Sequence, residues 1–221
     1  MKAVLFDFNG TLFDDSDFHR RAWHDYMLEK FHLEYSRAEI DRHFIGPGTT
    51  EILHYCLGEE LSPELVHAYA REKETYYRKI ASEKEENMRL IDGAAEMLDM
   101  LAEKGIPFVL ATASMLDNVE FYLNDLNLKR WFTLDRVVYD TGELNCKPAP
   151  DFYIEAARRI RMSPKDCIIV EDSPTGFEAA KRAGAGRIIA IDRTQPRKVL
   201  ETRPEIDAII HDYRNFERFL A

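Results

Sequence analysis

Short apolar runs alternate with amphipathic stretches along most of this chain, and this alternation restricts the folds that the chain can adopt. The runs are rich in Val and Ile, a composition typical of strands that are buried on both faces of a parallel sheet. They span residues 3–6, 108–111, 137–139, 167–170, 187–191 and 208–210. Strands that alternate with helices in this way predict an α/β fold, a doubly wound parallel sheet with right-handed crossovers.

Three of the amphipathic stretches carry signals for the start or the end of a helix. The first ends before Gly105, the second runs from Pro150 to about Ile160, and the third begins at Ser173 and ends before Gly184. Glycine just after a helix and proline in its first turn are common at these positions. We interpret the aromatic residues at 121–122 and 131–132 as core residues rather than as a binding surface.

Residues 14–88 lack strand-like runs and predict a small all-helical insert. Helical patterns cover residues 14–31, 37–44, 49–57 and 63–86, with a glycine-proline-glycine turn at 46–48. An insert of this length is about half of a typical domain. We expect residues 1–13 and 89–221 to form the sheet unit and residues 14–88 to form a helical cap on it.

The charge balance restricts the partners of the chain. Thirty Lys and Arg residues face 40 Asp and Glu residues, a net charge of −10, which argues against a general affinity for nucleic acid or anionic membrane. No apolar run approaches the roughly 18 residues of a membrane span. Three cysteines without C-x-x-C spacing indicate neither a disulfide framework nor a zinc site, so we expect a cytoplasmic protein with reduced thiols. The pattern is compatible with a monomer and does not determine the oligomeric state.

Polar residues follow four of the predicted strands. In open α/β sheets, ligands bind beyond the carboxyl ends of the strands, so these residues are expected to meet. They are Asp7, Thr112, Ser114, Lys147, Glu171 and Asp172. Carboxylates, hydroxyls and a lysine are the groups that Mg²⁺-assisted phosphoryl transfer requires, because a hard cation prefers oxygen ligands and phosphate needs donors.

Four segments resemble the motifs of the haloacid dehalogenase (HAD) superfamily, and they occur in the same order. Residues 7–12, Asp-Phe-Asn-Gly-Thr-Leu, look like its D-x-D-G-T-L signature with one change. Thr112, Lys147-Pro148 and the segment 171–176 (Glu-Asp-Ser-x-x-Gly) match the other three motifs. His19-x-x-Ala22-Trp23 and the helical insert look like the β-phosphoglucomutase-like branch, which includes phosphatases. The resemblance implies a Rossmann-like HAD core with a cap.

The resemblance also implies a role for each motif. Asp7 would be the nucleophile that forms an aspartyl-phosphate intermediate. Mg²⁺ would be held by Asp7, Asp172 and the main-chain carbonyl of Asn9, with Glu171 a direct ligand or one step removed. The implied roles of Thr112 and Lys147 are to bind the oxygens of the phosphoryl group in transfer.

Candidate substrate contacts come from both predicted units. Thr11 and Ser114 would add hydrogen-bond donors beside the phosphoryl group. In the cap, His19, Thr49 and Lys73 are the candidates, although a solvated helix face explains Lys73 equally well. The implied substrate is a small phosphorylated metabolite, and the implied activity is Mg²⁺-dependent hydrolysis of a phosphomonoester.

Asn9 stands where family phosphatases carry a second aspartate, which protonates the leaving oxygen and then activates water. An amide has no titratable proton, and a general acid–base group contributes roughly 10²–10⁴ in rate. Another group, such as His19, could supply the proton, or the chain could be a catalytically silent or slow binder of a phospho-metabolite. Asn9 could also be an introduced change. Asn followed by Gly is prone to deamidation, and the Asp produced would restore the acid–base group.

Two other activities of the superfamily fit the sequence less well. A 2-haloacid dehalogenase needs no acid at position 9, but such enzymes generally lack the Mg²⁺ acids, and Glu171-Asp172 argues against that activity. Phosphoglucomutases of this branch carry an arginine in the loop where Thr49 lies, and Thr49 cannot bind a distal phosphate in the same bidentate way.

Overall fold

The computed structural model describes residues 2–45, 48–84 and 87–220. The chain separates into two units, a sheet unit formed by Met1–Asp14 with Arg89–Ala221 and a helical unit formed by Asp15–Met88. The predicted first boundary lies one residue earlier, between residues 13 and 14. Each unit has its own apolar core and is described separately below.

Six parallel strands form one sheet in the order β3-β2-β1-β4-β5-β6, which confirms the predicted doubly wound α/β fold. The strands are β1 Ala3–Phe6, β2 Phe108–Met115, β3 Val137–Asp140, β4 Cys167–Glu171, β5 Arg187–Ile191 and β6 Ala208–Ile210. The order reverses between β1 and β4, because the chain leaves β1 toward β2 and leaves β4 toward β5. Such a switch point opens a crevice at the carboxyl ends of its strands.

Three strands extend beyond their predicted carboxyl ends. The prediction ended β2 at Ala111, whereas the strand continues to Met115 and therefore includes Thr112 and Ser114. Their polar side chains interrupt the apolar run, although the backbone still pairs with β3 as far as Met115 and Asp140, with an irregularity in the register. Strands β3 and β4 each run one residue further than predicted, so Glu171 lies within β4.

Helices cover both faces of the sheet. They are α5 Ala94–Glu103, α6 Leu116–Asp125, α7 Asp151–Arg159, α8 Pro174–Ala183 and the short α9 Arg197–Leu200, and four 3₁₀ helices span Leu128–Arg130, Leu134–Arg136, Pro164–Asp166 and Phe216–Phe219. The core below the site includes Leu5, Val109, Ile169, Phe152 and Phe177, all inaccessible to solvent. Burying one such side chain stabilises the fold by about 1.5–3 kcal/mol.

In the sheet unit, helix α6 and the short α9 are not among the predicted elements, and α6 is the one that reaches the site. It follows β2 without an intervening turn, Met115 occupies its N-cap position, and no side chain caps its first turn. The N-cap position is therefore occupied by Met rather than by the Ser, Thr, Asp or Asn that marks most helix starts.

In the described part of the second unit, the α-helices are α1 Ser16–Phe31, α2 Arg37–His43, α3 Thr49–Leu57 and α4 Pro63–Ala81. Ser36 and Ser62 cap α2 and α4 by accepting backbone hydrogen bonds, as is common for serine before a helix. Trp23, Tyr26 and Leu53 lie in the core of this unit. Helix α4 ends at Ala81, before its predicted end at residue 86, which lies outside the described residues, as do residues 46 and 47 of the predicted turn.

The structure also bears on the expected reduced thiols and on the expectation that the sequence has no membrane span. Cys56, Cys146 and Cys167 are all free thiols. Within residues 2–45, 48–84 and 87–220, no helix combines the length and the apolarity that crossing a membrane requires.

Candidate active site

Carboxylates from two neighbouring strands meet at the switch point. Asp7 directly follows β1, and its backbone N–H donates to the carbonyl of Val170 at 3.0 Å, which continues the β1–β4 pairing. Glu171 is the last residue of β4, and Asp172 follows it. Oxygen atoms of Asp7, Glu171 and Asp172 lie within 4.8 Å of one another, and all three residues are buried. The predicted convergence of these acids is therefore present in the fold.

One lysine contacts two of these three carboxylates. The Nζ atom of Lys147 lies 2.6 Å from Asp7 Oδ1 and 2.5 Å from Glu171 Oε1. Its side chain is only 9% exposed, and Nζ lies 4.9 Å from the centre of the Tyr153 ring. Three buried carboxylates against one ammonium leave negative charge that Lys147 does not neutralise.

Glu171 accepts hydrogen bonds on both of its oxygens. Oε1 accepts from Lys147 and, at 2.8 Å, from the Tyr153 hydroxyl, while Oε2 accepts from the backbone N–H groups of Asp172 and Ser173 and from the Ser173 hydroxyl. A carboxylate offers about four lone-pair sites, so five donors occupy it fully. A Cβ atom at Gly176 would lie 1.8 Å from Glu171 Oε1, which explains why glycine is required in the first turn of α8. Glu171 therefore organises the loop between β4 and α8.

Tyr153 was absent from the predicted site. It lies on α7, is inaccessible to solvent, and directs its hydroxyl toward Glu171. Burial and the neighbouring charge of Glu171 raise the pKa of Tyr153 well above its usual value, so the hydroxyl keeps the proton that it donates. No motif marks Tyr153, because its neighbour Phe152 is also aromatic and also buried.

The loop after β1 lies directly against Asp172. Gly10 has a φ angle of +73°, and a Cβ atom there would lie 2.4 Å from Asp172 Oδ2. The Thr11 hydroxyl lies 3.1 Å from Asp7 Oδ2 and 3.2 Å from Asp172 Oδ1, so its single proton bonds one carboxylate or the other. Thr11, predicted as a substrate contact, is inaccessible to solvent.

Burial dominates the electrostatics of the three acids. Desolvation raises the pKa of Asp7 to about 7, with Lys147 opposing the shift and Glu171 adding to it. Desolvation and then the charges of Glu171 and Asp7 raise the pKa of Asp172 well above its usual value. Burial also acts to raise the pKa of Glu171, but Lys147 and the other donors outweigh it, so that the pKa is lowered.

These acids fit a hard divalent cation. The donor set consists of oxygens, and three carboxylates share one ammonium. Burial raises the pKa of Asp7 and of Asp172, so a bound cation would stabilise the anionic forms that burial disfavours. Because both oxygens of Glu171 are occupied by donors, Asp7 and Asp172 are the carboxylates best placed to hold such an ion.

Asn9, Thr112 and Ser114 form a second group on the neighbouring strand ends. The Ser114 hydroxyl donates to Asn9 Oδ1 at 2.9 Å, and the Thr112 hydroxyl lies 3.3 Å from the same atom. Asn9 Nδ2 donates to the Tyr122 hydroxyl at 2.9 Å. Tyr122 is 2% exposed, in agreement with its interpretation as a core residue, but its hydroxyl reaches the site. This contact was not predicted, because α6 was not predicted.

Two of the predicted cap residues meet inside the helical unit. Lys73 Nζ lies 2.9 Å from His19 Nδ1 and 2.7 Å from Glu74 Oε1, and the His19 ring stacks on the Tyr77 ring at 4.1 Å. Lys73 is only 3% exposed, so its interpretation as part of a solvated helix face is wrong. Thr49 is the first residue of α3 and is half-buried.

A model of the haloacid dehalogenase-like hydrolase family matches residues 4–190. The chain belongs to this family. The match confirms the resemblance that the four motifs carry. Fructose-1-phosphate phosphatase YqaB of Escherichia coli (strain K12) is 30% identical to this HAD-like hydrolase over 183 residues, which cover 82% of the chain and 92% of YqaB. Phosphorylated carbohydrates phosphatase of Thermotoga maritima is 29% identical over 192 residues, 86% of the chain and 85% of that protein.

Solved structures with the same architecture include other members of the family. A HAD hydrolase of family IA, variant 3, from Entamoeba histolytica is 31% identical and superposes with a TM-score of 0.91 over 96% of this chain and 94% of that one. A mutant of CbbY from Rhodobacter sphaeroides, in complex with xylulose-(1,5)bisphosphate, is 26% identical with a TM-score of 0.81 over 97% and 96%. With its relatives named as phosphatases, this HAD-like hydrolase is a phosphohydrolase.

Proposed function

We propose that this HAD-like hydrolase is a Mg²⁺-dependent phosphatase that uses Asp7 as its nucleophile on a small phosphorylated metabolite. The observation that carries the proposal is the position of Asp7 at the switch point, with Lys147 Nζ 2.6 Å from its Oδ1 and Asp172 beside it. The printed names of the relatives, a fructose-1-phosphate phosphatase and a phosphorylated carbohydrates phosphatase, favour a sugar phosphate as the substrate.

In the proposed reaction, a carboxylate oxygen of Asp7 attacks phosphorus and the bond from phosphorus to the ester oxygen breaks. An aspartyl-phosphate forms, and the leaving alkoxide takes a proton from water, because Asn9 has no titratable proton. Water then attacks this intermediate, which yields inorganic phosphate and restores Asp7. Covalent catalysis of this kind divides one difficult displacement into two easier ones.

Charge neutralisation is the main task of the remaining residues. Lys147 would contact the phosphoryl oxygens, and Thr112 and Ser114 would add hydroxyl donors where negative charge develops.

Mg²⁺ would be held by Asp7, Asp172 and the main-chain carbonyl of Asn9, and it would supply further positive charge to the phosphoryl oxygens. Glu171, with Tyr153 and Ser173, would fix the position of Lys147 and of the Asp172 backbone.

Asn9 would make this phosphatase slow. The amide cannot protonate the leaving oxygen or deprotonate the attacking water, and the loss of such a group lowers a rate roughly 10²–10⁴-fold. Leaving groups that depart without a proton, such as aryl or acyl phosphates, would suffer less. The aspartyl-phosphate should therefore form faster from substrates of this kind than from alkyl phosphates.

A second candidate function is a slow or silent binder of a phosphorylated metabolite. The observation in its favour is that both ends of the Asn9 amide are engaged by Tyr122 and Ser114 within the protein. The metal-binding carboxylates and Lys147 do not depend on a proton at position 9, so binding would survive where turnover does not. The three buried acids also weigh against 2-haloacid dehalogenase activity, because such enzymes generally lack the Mg²⁺ acids.

Release of phosphate from a panel of sugar phosphates, nucleotides and acyl phosphates tests the proposal. We expect Mg²⁺-dependent release that Asp7→Ala abolishes. Asp192→Ala is the matched control, because Asp192 also follows a strand but pairs with His211 and Arg197 away from the three acids. Turnover that survives Asp7→Ala contradicts the mechanism. If a phosphorylated compound of the panel binds in the presence of Mg²⁺ but no inorganic phosphate is released from it, the result favours the second candidate function, a binder.

A further inference from the structure

The side chain of Asn9 is held at both ends by hydroxyl groups. Asn9 Nδ2 donates to the Tyr122 hydroxyl at 2.9 Å, and the Ser114 hydroxyl donates to Asn9 Oδ1 at 2.9 Å. We call Tyr122 and Ser114 the residue-9 clamp. An amide that both donates and accepts in this way has its orientation fixed by its partners.

Core packing fixes the Tyr122 half of the clamp. The Tyr122 ring lies 4.4 Å from the Phe8 ring and 6.4 Å from the Phe13 ring, measured between centroids. Phe8 and Phe13 are buried at either end of the loop that contains Asn9. Because aromatic side chains in a close-packed core have few alternative rotamers, the hydroxyl of Tyr122 is held beside residue 9.

The backbone at Asn9-Gly10 is held as well. Gly10 N–H donates to the carbonyl of Phe13 at 2.7 Å, and Asn9 forms an isolated bridge with Phe13. Deamidation requires the Gly10 nitrogen to lose its proton and attack Cγ of Asn9, which closes a succinimide ring and expels ammonia. Water then opens the ring to give aspartate or isoaspartate. Ring closure would break the Gly10 hydrogen bond and turn the Asn9 amide out of the clamp.

We propose that Tyr122 is a positioning residue that fixes the side chain at position 9, and that the residue-9 clamp keeps Asn9 an amide in the folded chain. Deamidation, which the Asn-Gly dipeptide predicts, is then confined to chains in which the clamp has opened. Any phosphatase activity of the folded chain is then the activity of the form with asparagine at position 9, and not of a deamidated fraction. The effect of Tyr122 on catalysis rests on the proposed function, whereas its effect on deamidation does not.

The first test follows the mass of the peptide that contains Asn9 during incubation at mildly alkaline pH. The samples are the folded chain, the same chain in concentrated urea, and folded Tyr122→Phe. Tyr26→Phe is the matched control, because Tyr26 also loses a buried hydroxyl that donates a hydrogen bond, to Glu72 in the helical unit. Urea unfolding of each variant shows how much of any change comes from global opening.

We expect the amide to be lost at least about tenfold more slowly in the folded chain than in urea. Loss of one neutral hydrogen bond changes an equilibrium about two- to tenfold, so Tyr122→Phe should deamidate that much faster than the folded parent. Tyr26→Phe should match the parent. Equal deamidation rates for the folded and urea samples, or for Tyr122→Phe and the folded parent, would contradict the proposal that the residue-9 clamp protects Asn9.

The second test compares Asn9→Asp with the double variant Asn9→Asp/Tyr122→Phe on an aryl phosphate. If Tyr122 positions residue 9, kcat of the double variant falls about two- to tenfold while KM is unchanged. An unchanged kcat overturns the positioning role. If Asn9→Asp releases no phosphate at all, the proposed function has failed, and the deamidation rates still decide whether the clamp exists.

Discussion

The ammonium of Lys147 lies 2.6 Å from Oδ1 of Asp7, although 140 residues separate the two in the sequence. Parallel strands β1 and β4 and the loop after β3 bring them together, and Glu171 contacts the same ammonium at 2.5 Å. The lysine thus pairs with two buried acids, and in the proposed mechanism it also contacts the phosphoryl group. These two roles can be separated experimentally.

Replacing Lys147 by Met should destabilise the metal-free chain by about 3–5 kcal/mol, because breaking a buried ion pair leaves an uncompensated charge. Saturating Mg²⁺ should restore part of the unfolding free energy but none of the phosphatase activity. Urea unfolding with and without Mg²⁺, together with phosphate release, measures both effects. Lys165→Met is the control, since Lys165 is exposed in a 3₁₀ helix. Full activity of Lys147→Met would falsify the role of Lys147 in phosphoryl binding.

Tyr153→Phe should separate the roles of Glu171 and of the metal ligands. The variant keeps the buried ring and removes the hydroxyl that donates to Glu171, at a cost of about 1.5–3 kcal/mol for a hydrogen bond to a charged group. We expect kcat to fall while the Mg²⁺ concentration for half-maximal activity is unchanged, because in the proposed site Asp7 and Asp172 hold the ion and Glu171 does not. Tyr26→Phe should lose stability without a change in kcat. A large rise in the Mg²⁺ requirement of Tyr153→Phe would place Glu171 on the metal.

The stability of the metal-free chain should fall as the pH rises toward 7. The folded pKa of Asp7 is raised to about 7 from 3.8 by burial, so the folded chain binds more protons than the unfolded chain between these values. Unfolding free energy decreases with pH wherever the folded state binds more protons. The raised pKa of Asp172 acts in the same direction.

Mg²⁺ should reverse this trend, because metal ions bind the deprotonated carboxylates. The increase in melting temperature on adding Mg²⁺ should therefore be larger near about pH 8 than near about pH 5. Asp172→Asn should abolish most of the increase at both pH values. An increase that is independent of pH, or that survives Asp172→Asn, would show that the ion binds elsewhere.

The fold could be predicted from the sequence because its strands are short, apolar and buried on both faces, as in β1 and β4. The acids could be predicted for a related reason. A carboxylate that ends an apolar run, such as Asp7 or Asp172, has to lie at the carboxyl edge of the sheet. Both arguments need only the local sequence and the rule that the carboxyl ends of parallel strands lie at the same edge of the sheet.

Contacts made by a helix face could not be predicted in this way. Lys73 lies among charged neighbours in the sequence, yet tertiary packing puts its ammonium 5.2 Å from the centre of the Trp23 ring and leaves it 3% exposed. Tyr122 and Tyr153 look like ordinary core aromatics, since the sequence does not show which end of a buried ring meets a polar group. Their hydroxyls reach Asn9 and Glu171 because of the way α6 and α7 pack against the strand ends.

The central claim is that Asp7 carries out phosphoryl transfer while Asn9 limits its rate, and one comparison tests it most directly. The rate of Mg²⁺-dependent phosphate release from a sugar phosphate is measured for the chain and for Asn9→Asp, with Asp7→Ala/Asn9→Asp as the control. We predict a gain of roughly 10²–10⁴-fold for Asn9→Asp and no release from the double variant. Equal rates for the chain and for Asn9→Asp, or release from the double variant, would contradict the claim.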